Sequence, residues 1–290
     1  MATYTLYGDV TERSAASWAL VMRAKHQRAA IVPETASLSL LLASRSGHER
    51  GPYLRTPEGF VLAGGHEVLA WLEQVHPHPA LLPPTPVRRT CARMLEDWID
   101  LWLPSWPRRS WASVDRLGRH LETSRFLLGA SPTRADFQLA AWLETEVLVR
   151  DDVRARTARE APKLLALGED LLSERESVDC ASDVDDTIPI SLLGVLEDIA
   201  LDYHGYLIAN QRALKDERDT VTLDLGLGPR PFPVQRVCER RRVEIGRSLA
   251  ALEPAARRSV ARVLEPVGAW HALTLPPVLD EVDPSDPRSL

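Results

Sequence analysis

The chain has 290 residues and a mass of 32.3 kDa; 44% of its residues are hydrophobic, 26% are charged, and the formal charge is −6 with a pI near 5.8. That length suits two packed domains, since single cores rarely grow past about 250 residues, and the apolar content excludes a disordered chain. The acidic balance speaks against a nucleic-acid partner, which asks for a basic excess, and no stretch of about 18 uninterrupted apolar residues announces a membrane span.

In chain order, Tyr4 to Tyr7 alternates aromatic and β-branched residues and predicts a strand. From Ser14 the apolar positions Trp18, Val21 and Met22 step by three and four, which predicts a helix to about His26. Ala29 to Val32 reads as a second strand ended by Pro33, and Leu38 to Ala43 as a short helix. Tyr53-Leu54 and Phe60 to Leu62 flank the turn Thr56-Pro57-Glu58-Gly59. Gly64-Gly65 then precede an amphipathic helix that stops at His76-Pro77. The order β-α-β-α-β-β-α in under 80 residues predicts a compact α/β layer on a mixed sheet.

Pro77 to Pro86 holds five prolines in ten positions and predicts an extended linker. Beyond it the periodic stretches read as helix, at roughly 87–103, 112–128, 134–149, 157–173, 190–216, 235–252 and 255–272. Ser173 to Thr187 reads as an acidic loop, Asp224 to Pro233 as an irregular connection, and the last eleven residues as a frayed end. The domain expectation is 1–78, a linker at 79–86, a helical domain at 87–187 and a helical extension at 188–290.

The strongest local signal is FLLGASPTRADFQLAAWL, Phe126 to Leu143. Thr133 can cap a helix there while Asp136 reaches back to the cap's own amide, a device worth about 1–2 kcal/mol. Physics alone reads this as good capping. The chain as a whole resembles the glutathione transferase superfamily. "LLGASPTRADF" is similar to its glycine and Ser/Thr-x-x-Asp capping box, and "GPYLRTPEGFVLAGG" with "LEQVHPHPALLP" to the stretch from a cis-proline to the interdomain linker. "SAASWALVMRA" resembles the start of the first helix, and "LEDWIDLWLPSW" a bacterial subgroup with a helical C-terminal extension. The resemblance covers about residues 3–175. It implies an α+β protein with a thioredoxin-like N-terminal α/β domain, then an all-helical C-terminal domain with extra C-terminal helices.

The resemblance also implies a thiol cofactor, glutathione, and names the residues that would hold it. A hydroxyl at a helix N-terminus stabilises a thiolate, helped by the free amides and dipole there. Ser14 stands at the family's position for that residue, with Ser17 one turn on and Tyr7 a weaker candidate that fits the core. Pro52 matches the cis-proline, so Gly51 would offer its backbone to the ligand. The chain departs from the family at Gly64-Gly65, where an acidic residue and a Ser or Thr are both missing, and His66 follows. Trp98, Trp102, Trp106 and Trp111 gather on and after the helix that in the family lines a hydrophobic electrophile pocket; interdomain core is the competing reading. Arg108 and Arg109 follow.

Other groupings carry less chemistry. His76 and His78 flank a proline with no nearby carboxylate, so no metal is expected. Asp183, Asp185 and Asp186 lack the glycine and final acid of a calcium loop and read as a solvated loop. Arg236 to Arg242 reads as surface. Cys91, Cys180 and Cys238 are far apart, without CxxC, and the N-terminus lacks a secretory pattern; both fit a cytoplasmic protein with reduced cysteines. Two functions remain open: a transferase joining a thiol to a small hydrophobic electrophile, and a non-catalytic ligand- or protein-binding member that has lost glutathione recognition at Gly64-Gly65. The family is usually dimeric, which makes a homodimer an expectation. No nucleic acid and no membrane are expected as partners.

Overall fold

A computed structural model describes residues 3–105, 112–173, 185–226 and 228–278. Contacts divide the chain into two compact units, Met1–Leu82 with Arg125–Asp183 and Pro83–Ser124 with Val184–Leu290. In chain order the first elements are β1 (Tyr4–Tyr7), α1 (Arg13–Ala24), β2 (Ala29–Val32), α2 (Ala36–Ser46), β3 (Tyr53–Arg55), β4 (Val61–Leu62) and α3 (His66–Val75). Helices α4 (Pro86–Asp97), α5 (Ala112–Thr123), α6 (Arg134–Trp142), α7 (Asp151–Glu160), α8 (Pro162–Leu172), α9 (Ile190–Ile199) and α10 (Gly205–Lys215) follow. The chain then forms β5 (Thr220–Asp224), β6 (Pro229–Pro233), α11 (Arg236–Ala250), α12 (Pro254–Leu264) and α13 (Trp270–Thr274). The expected order of the first seven elements is the observed one.

In the first unit the sheet order is β2-β1-β3-β4, with β1 parallel to β2 and the other pairs antiparallel. Helix α1 buries Trp18, Val21 and Met22 and packs against α6 and α3. Helix α2 contributes Leu38 and Leu42, one turn apart, to a cluster with Tyr7, Tyr53, Val61 and Ala63. The buried Lys25 closes the far end. Its ammonium pairs with Glu73 at 2.9 Å and donates to the carbonyls of His76 (2.6 Å) and Pro79 (3.0 Å). Glu73 in turn accepts from the amides of Leu81 and Leu82. The proline-rich segment is thus tied down at its start rather than left to its own stiffness.

Helix α6 begins with the capping box that its sequence predicts. Asp136 accepts from the amides of Leu127 and Thr133 and from the Thr133 hydroxyl, each at 2.8 Å. Complete burial still pushes its carboxyl up to about 6, so desolvation outweighs the three donors. The helix expected at 157–173 is two helices: Pro162 opens α8 and cannot continue α7. Arg23 donates to the carbonyls of Leu171 and Leu172, which have no partner within α8.

The second unit corrects four expectations. Asp224 to Pro233 is not irregular: β5 and β6 form an antiparallel hairpin with Val221 opposite Phe232. Pro229, Pro231 and Pro233 are two apart, so every missing N–H falls on the side away from β5, while even-numbered residues keep theirs. The bond from Val234 N–H to the Asp219 carbonyl continues that register. Asp186 is not merely solvated; it caps α4, accepting from the amides of Val87 (2.9 Å) and Arg88 (3.2 Å). The Arg236–Arg242 run is not all surface: Arg241 and Arg242 are buried, bonded to Asp97 and Asp100 and to Glu239 respectively. Finally, the stretch 255–272 is broken at Gly268, whose φ of 77° ends the helical path and separates α12 from α13.

Candidate active site

The candidate residues of the first unit meet in one row across the sheet. Tyr7 pairs with Tyr53 and Leu54 with Leu62. Extending the β1–β3 ladder by one residue sets Gly8 opposite Pro52, and β4, the next strand, leads through Gly64-Gly65 into α3. The row is close-packed: a Cβ on Gly8 would lie 3.0 Å from that of Pro52 and 3.4 Å from that of Ala15, so only glycine lets β1, α1 and the proline turn converge. The Gly51–Pro52 peptide bond is cis, as the family resemblance implies, and His78–Pro79 is a second cis bond, which was not expected.

Asp9 shapes the turn into α1. It accepts from the Thr11 amide, which lowers its carboxyl below the usual range, and its carbonyl accepts from Glu12 N–H. Glu12 is the cap residue and makes no side-chain cap bond. Ser14 is therefore not the cap; it is the second helical residue, half-buried, in the turn whose amides lack intrahelical acceptors. Ser17, one turn on, is 4% exposed, and among the described residues its hydroxyl has no hydrogen-bond partner. Tyr7 packs on the α2 cluster, in line with the core reading.

At the other end of the row, Gly64 (φ 103°) and Gly65 (φ 53°) turn the chain into α3, and His66 is buried at its first position. The space a Gly64 side chain would take is flanked by His48 Cε1 at 3.0 Å and Glu67 Oε2 at 3.1 Å from the Cβ position. The Glu34 carboxylate fills the corresponding space at Gly51, where the Tyr53 ring also closes in at 3.0 Å. Glu34 is held by the Ser39 hydroxyl at 2.6 Å, and its charge, after burial, raises the Tyr53 phenol. Tyr53 donates to the His48 carbonyl at 3.1 Å.

Ser14, Gly51, Pro52, Gly64, Gly65 and His66 thus belong to one unit. Trp98 and Trp102 belong to the other and are 2% and 7% exposed. Trp102 packs against Tyr206 (ring centroids 5.1 Å apart), Tyr203 (5.6 Å) and Phe232 (5.8 Å), which leaves little indole surface uncovered. Trp106, Arg108, Arg109, Trp111, Cys180 and Asp183 lie outside the described residues. His76 is engaged with the Tyr4 hydroxyl at 2.7 Å, and among the described residues no group of three His, Cys, Asp or Glu side chains could hold a metal. Burial pushes Cys91 and Cys238 up to about 12, which removes both as nucleophiles. Sequence reasoning missed Glu34 and His48, because their approach to Gly51 and Gly64 is set by the course of the β2–α2 and α2–β3 connections and leaves no local pattern; Glu67 is local to Gly64, in the first turn of α3, and was passed over.

No protein-family model matches the chain, and no curated protein matches it. Solved structures do. A glutathione S-transferase from Rhodospirillum rubrum F11 is 18% identical over 67% of this chain and 99% of its own, with a TM-score of 0.50. A glutathione S-transferase from Methylobacterium radiotolerans, solved with glutathione sulfonate, is 22% identical over 64% and 98%, with a TM-score of 0.47. Glutathione transferase Omega 3C from Trametes versicolor is 15% identical over 63% and 90%, with a TM-score of 0.48. The chain therefore carries the glutathione-transferase fold, a thioredoxin-like α/β domain followed by helices. Among the described residues no helix is long and apolar enough to cross a membrane.

Proposed function

We propose that the protein is a glutathione-transferase-like enzyme that binds a thiol along Gly51, Pro52 and the start of α3, with Ser14 stabilising the thiolate. The observation that carries this is the convergence of Gly8, Pro52 and Ala15, which brings the proline turn to the start of α1, with the strand paired to β3 leading into the start of α3. Two helix N-termini bring free amides and positive dipole ends to one place, which favours an anion such as a thiolate. Catalysis would consist of proximity and a lowered thiol pKa, with a small hydrophobic electrophile as second substrate. A cytoplasmic homodimer, arranged as residues 1–78, 79–86, 87–187 and 188–290, completes the proposal. Non-catalytic binding is the second reading, favoured by the absence of acidic and hydroxyl side chains at Gly64-Gly65.

The test is calorimetric titration with reduced glutathione, followed also by ultraviolet thiolate absorbance, on the native protein and on Ser14→Ala. Binding with a thiolate signal that drops roughly tenfold in the variant supports the enzyme. Binding without a thiolate signal supports the second reading, and no binding of any thiol sinks the thiol site.

A further inference from the structure

We infer that Asp97 is the proton switch of a latch between α4 and α11: with its carboxyl neutral α11 is seated on α4, and ionisation loosens it. The latch lies wholly within the second unit and is independent of the thiol site. Asp97 ends α4, and Asp100 lies in the π-helical turn Trp98–Trp102 that follows, so the two carboxyls are three residues apart on one side of the chain. From α11 a single guanidinium reaches both. Arg241 Nη1 lies 3.2 Å from Asp97 Oδ1, and its Nη2 lies 2.8 Å from Asp100 Oδ2. Asp97 is 5% exposed, yet the shorter bond goes to Asp100, whose side chain is 23% exposed. A second tie between the two helices, Arg93 to the Ser248 hydroxyl at 2.6 Å, contains no group that titrates near neutral pH.

The other groups around Asp97 do not supply a second cation. Glu96, its neighbour on α4, is fully buried. Tyr203, from the turn Ala200–His204, and Cys238, from α11, are kept neutral by burial. Also on α11, Arg242 is bonded to Glu239, and α12, which packs on α4 as well, carries its charge on the exposed Arg257, Arg258 and Arg262. One cation therefore serves two carboxylates with a third beside them. Burial pushes the Asp97 carboxyl up to about 7; Arg241 pulls it down, and Glu96 and Asp100 add to the rise. The seated value lies above the unfolded value of about 4, so between the two the seated form holds more protons than the open one. Each pH unit gained in that window favours opening by up to about tenfold, and the dependence ends above the seated value, where both forms are ionised. Acid thus tightens the contact of α11 with α4, and a neutral medium relaxes it.

The experiment is amide hydrogen exchange of the full chain between pH 5 and pH 8, corrected for the chemical exchange rate and read in peptides from α4 and α11. It is run on the native protein and on Asp97→Asn, whose amide keeps an acceptor for Arg241 and cannot ionise. His204, buried and held down to about 4, gives the opposite slope in both proteins, so the reading is their difference. Expected is a protection of α11 that falls in the native protein relative to the variant as pH rises from 5 to 7, by up to about tenfold per unit, and a constant difference above that. Equal pH profiles, or a native protein that gains protection relative to the variant as pH rises, overturn the inference. Should Asp97→Asn not fold, the native carboxyl is followed by carbon-13 resonance over the same range: a titration near neutral pH, accompanied by loss of α11 protection, supports the latch, and a carboxyl already ionised at pH 5 overturns it.

Discussion

The row at Gly8, Pro52 and Gly64 and the core of the second unit treat their polar groups in opposite ways. In the core, Arg241 meets Asp97 at 3.2 Å and Asp100 at 2.8 Å. Arg242 spends its donors on both oxygens of Glu239 and on the carbonyls of Ala272, Leu275 and Pro276. In the first unit Glu34 is half-buried and held by the Ser39 hydroxyl, Glu67 is exposed, and among the described residues the buried Ser17 hydroxyl has no partner. Buried groups that are paired hold structure together; a buried group left unpaired, as the Ser17 hydroxyl is, costs stability, whereas an exposed carboxylate such as Glu67 keeps its water and costs none.

The sharpest way to break the comparison is Arg242→Met. Arg242 and Glu239 are both fully buried, so the variant leaves a carboxylate without its cation and frees three carbonyls. Removing one partner of such a pair costs about 3–5 kcal/mol, and urea unfolding should read that loss. The double variant Arg242→Met with Glu239→Leu should recover a large part of it, because the pair's own net worth is small. A loss under about 1 kcal/mol in the single variant would mean that the second unit is not held by its pairs.

The second test is titration of His204. It is completely buried, its Nδ1–H donates to the Ala269 carbonyl at 3.2 Å, and burial holds its pKa down to about 4. The folded value lies below the unfolded value of about 6.5, so between the two the unfolded chain binds more protons. Stability from this group is whole above pH 6.5 and is lost as pH falls towards 4. The loss amounts to about 3 kcal/mol over the window. Asp97 and Asp136, whose carboxyls burial raises to about 7 and about 6, give the opposite slope in both proteins, so the reading is the difference: unfolding at both ends of the window should show the native protein losing about that much relative to His204→Gln as pH falls.

What could be read from the sequence divides along similar lines. Periodicity and punctuation gave the seven elements of the α/β layer, and local spacing gave the capping box at Thr133 and Asp136, because those signals sit within a few residues. The hairpin at Thr220–Pro233 was hidden by its own prolines: their number suggested irregularity, while their period of two is what a strand edge accepts. The cap on α4 comes from Asp186, some hundred residues later, and Arg242 finds its acceptors thirty residues on. Such pairings follow from packing, which the sequence does not display. The candidate site was half legible for the same reason. Gly51, Pro52, Gly64 and Gly65 carry local meaning as turn residues, whereas Glu34 and His48 reach them only through the fold.

The smallest expected effect sharpens the comparison most directly. Ser17 is buried on α1, one turn after Ser14, with a hydroxyl that has been taken out of water and given no partner. Deleting a paired group such as Arg242 is costly; deleting this one should cost nothing. Ser17→Ala is expected to raise stability by roughly 0–1 kcal/mol, since an unsatisfied buried hydroxyl is a penalty rather than a bond. If the hydroxyl is instead kept for a ligand, the same variant weakens thiol binding while unfolding later. Melting curves with and without the best-binding thiol separate the two contributions: a rise without ligand and a smaller ligand-induced shift mark Ser17 as part of the site, and a rise with an unchanged shift confines thiolate stabilisation to Ser14. A fall in stability without ligand would mean that Ser17 is bonded in the folded protein after all, and that the row is as fully paired as the core.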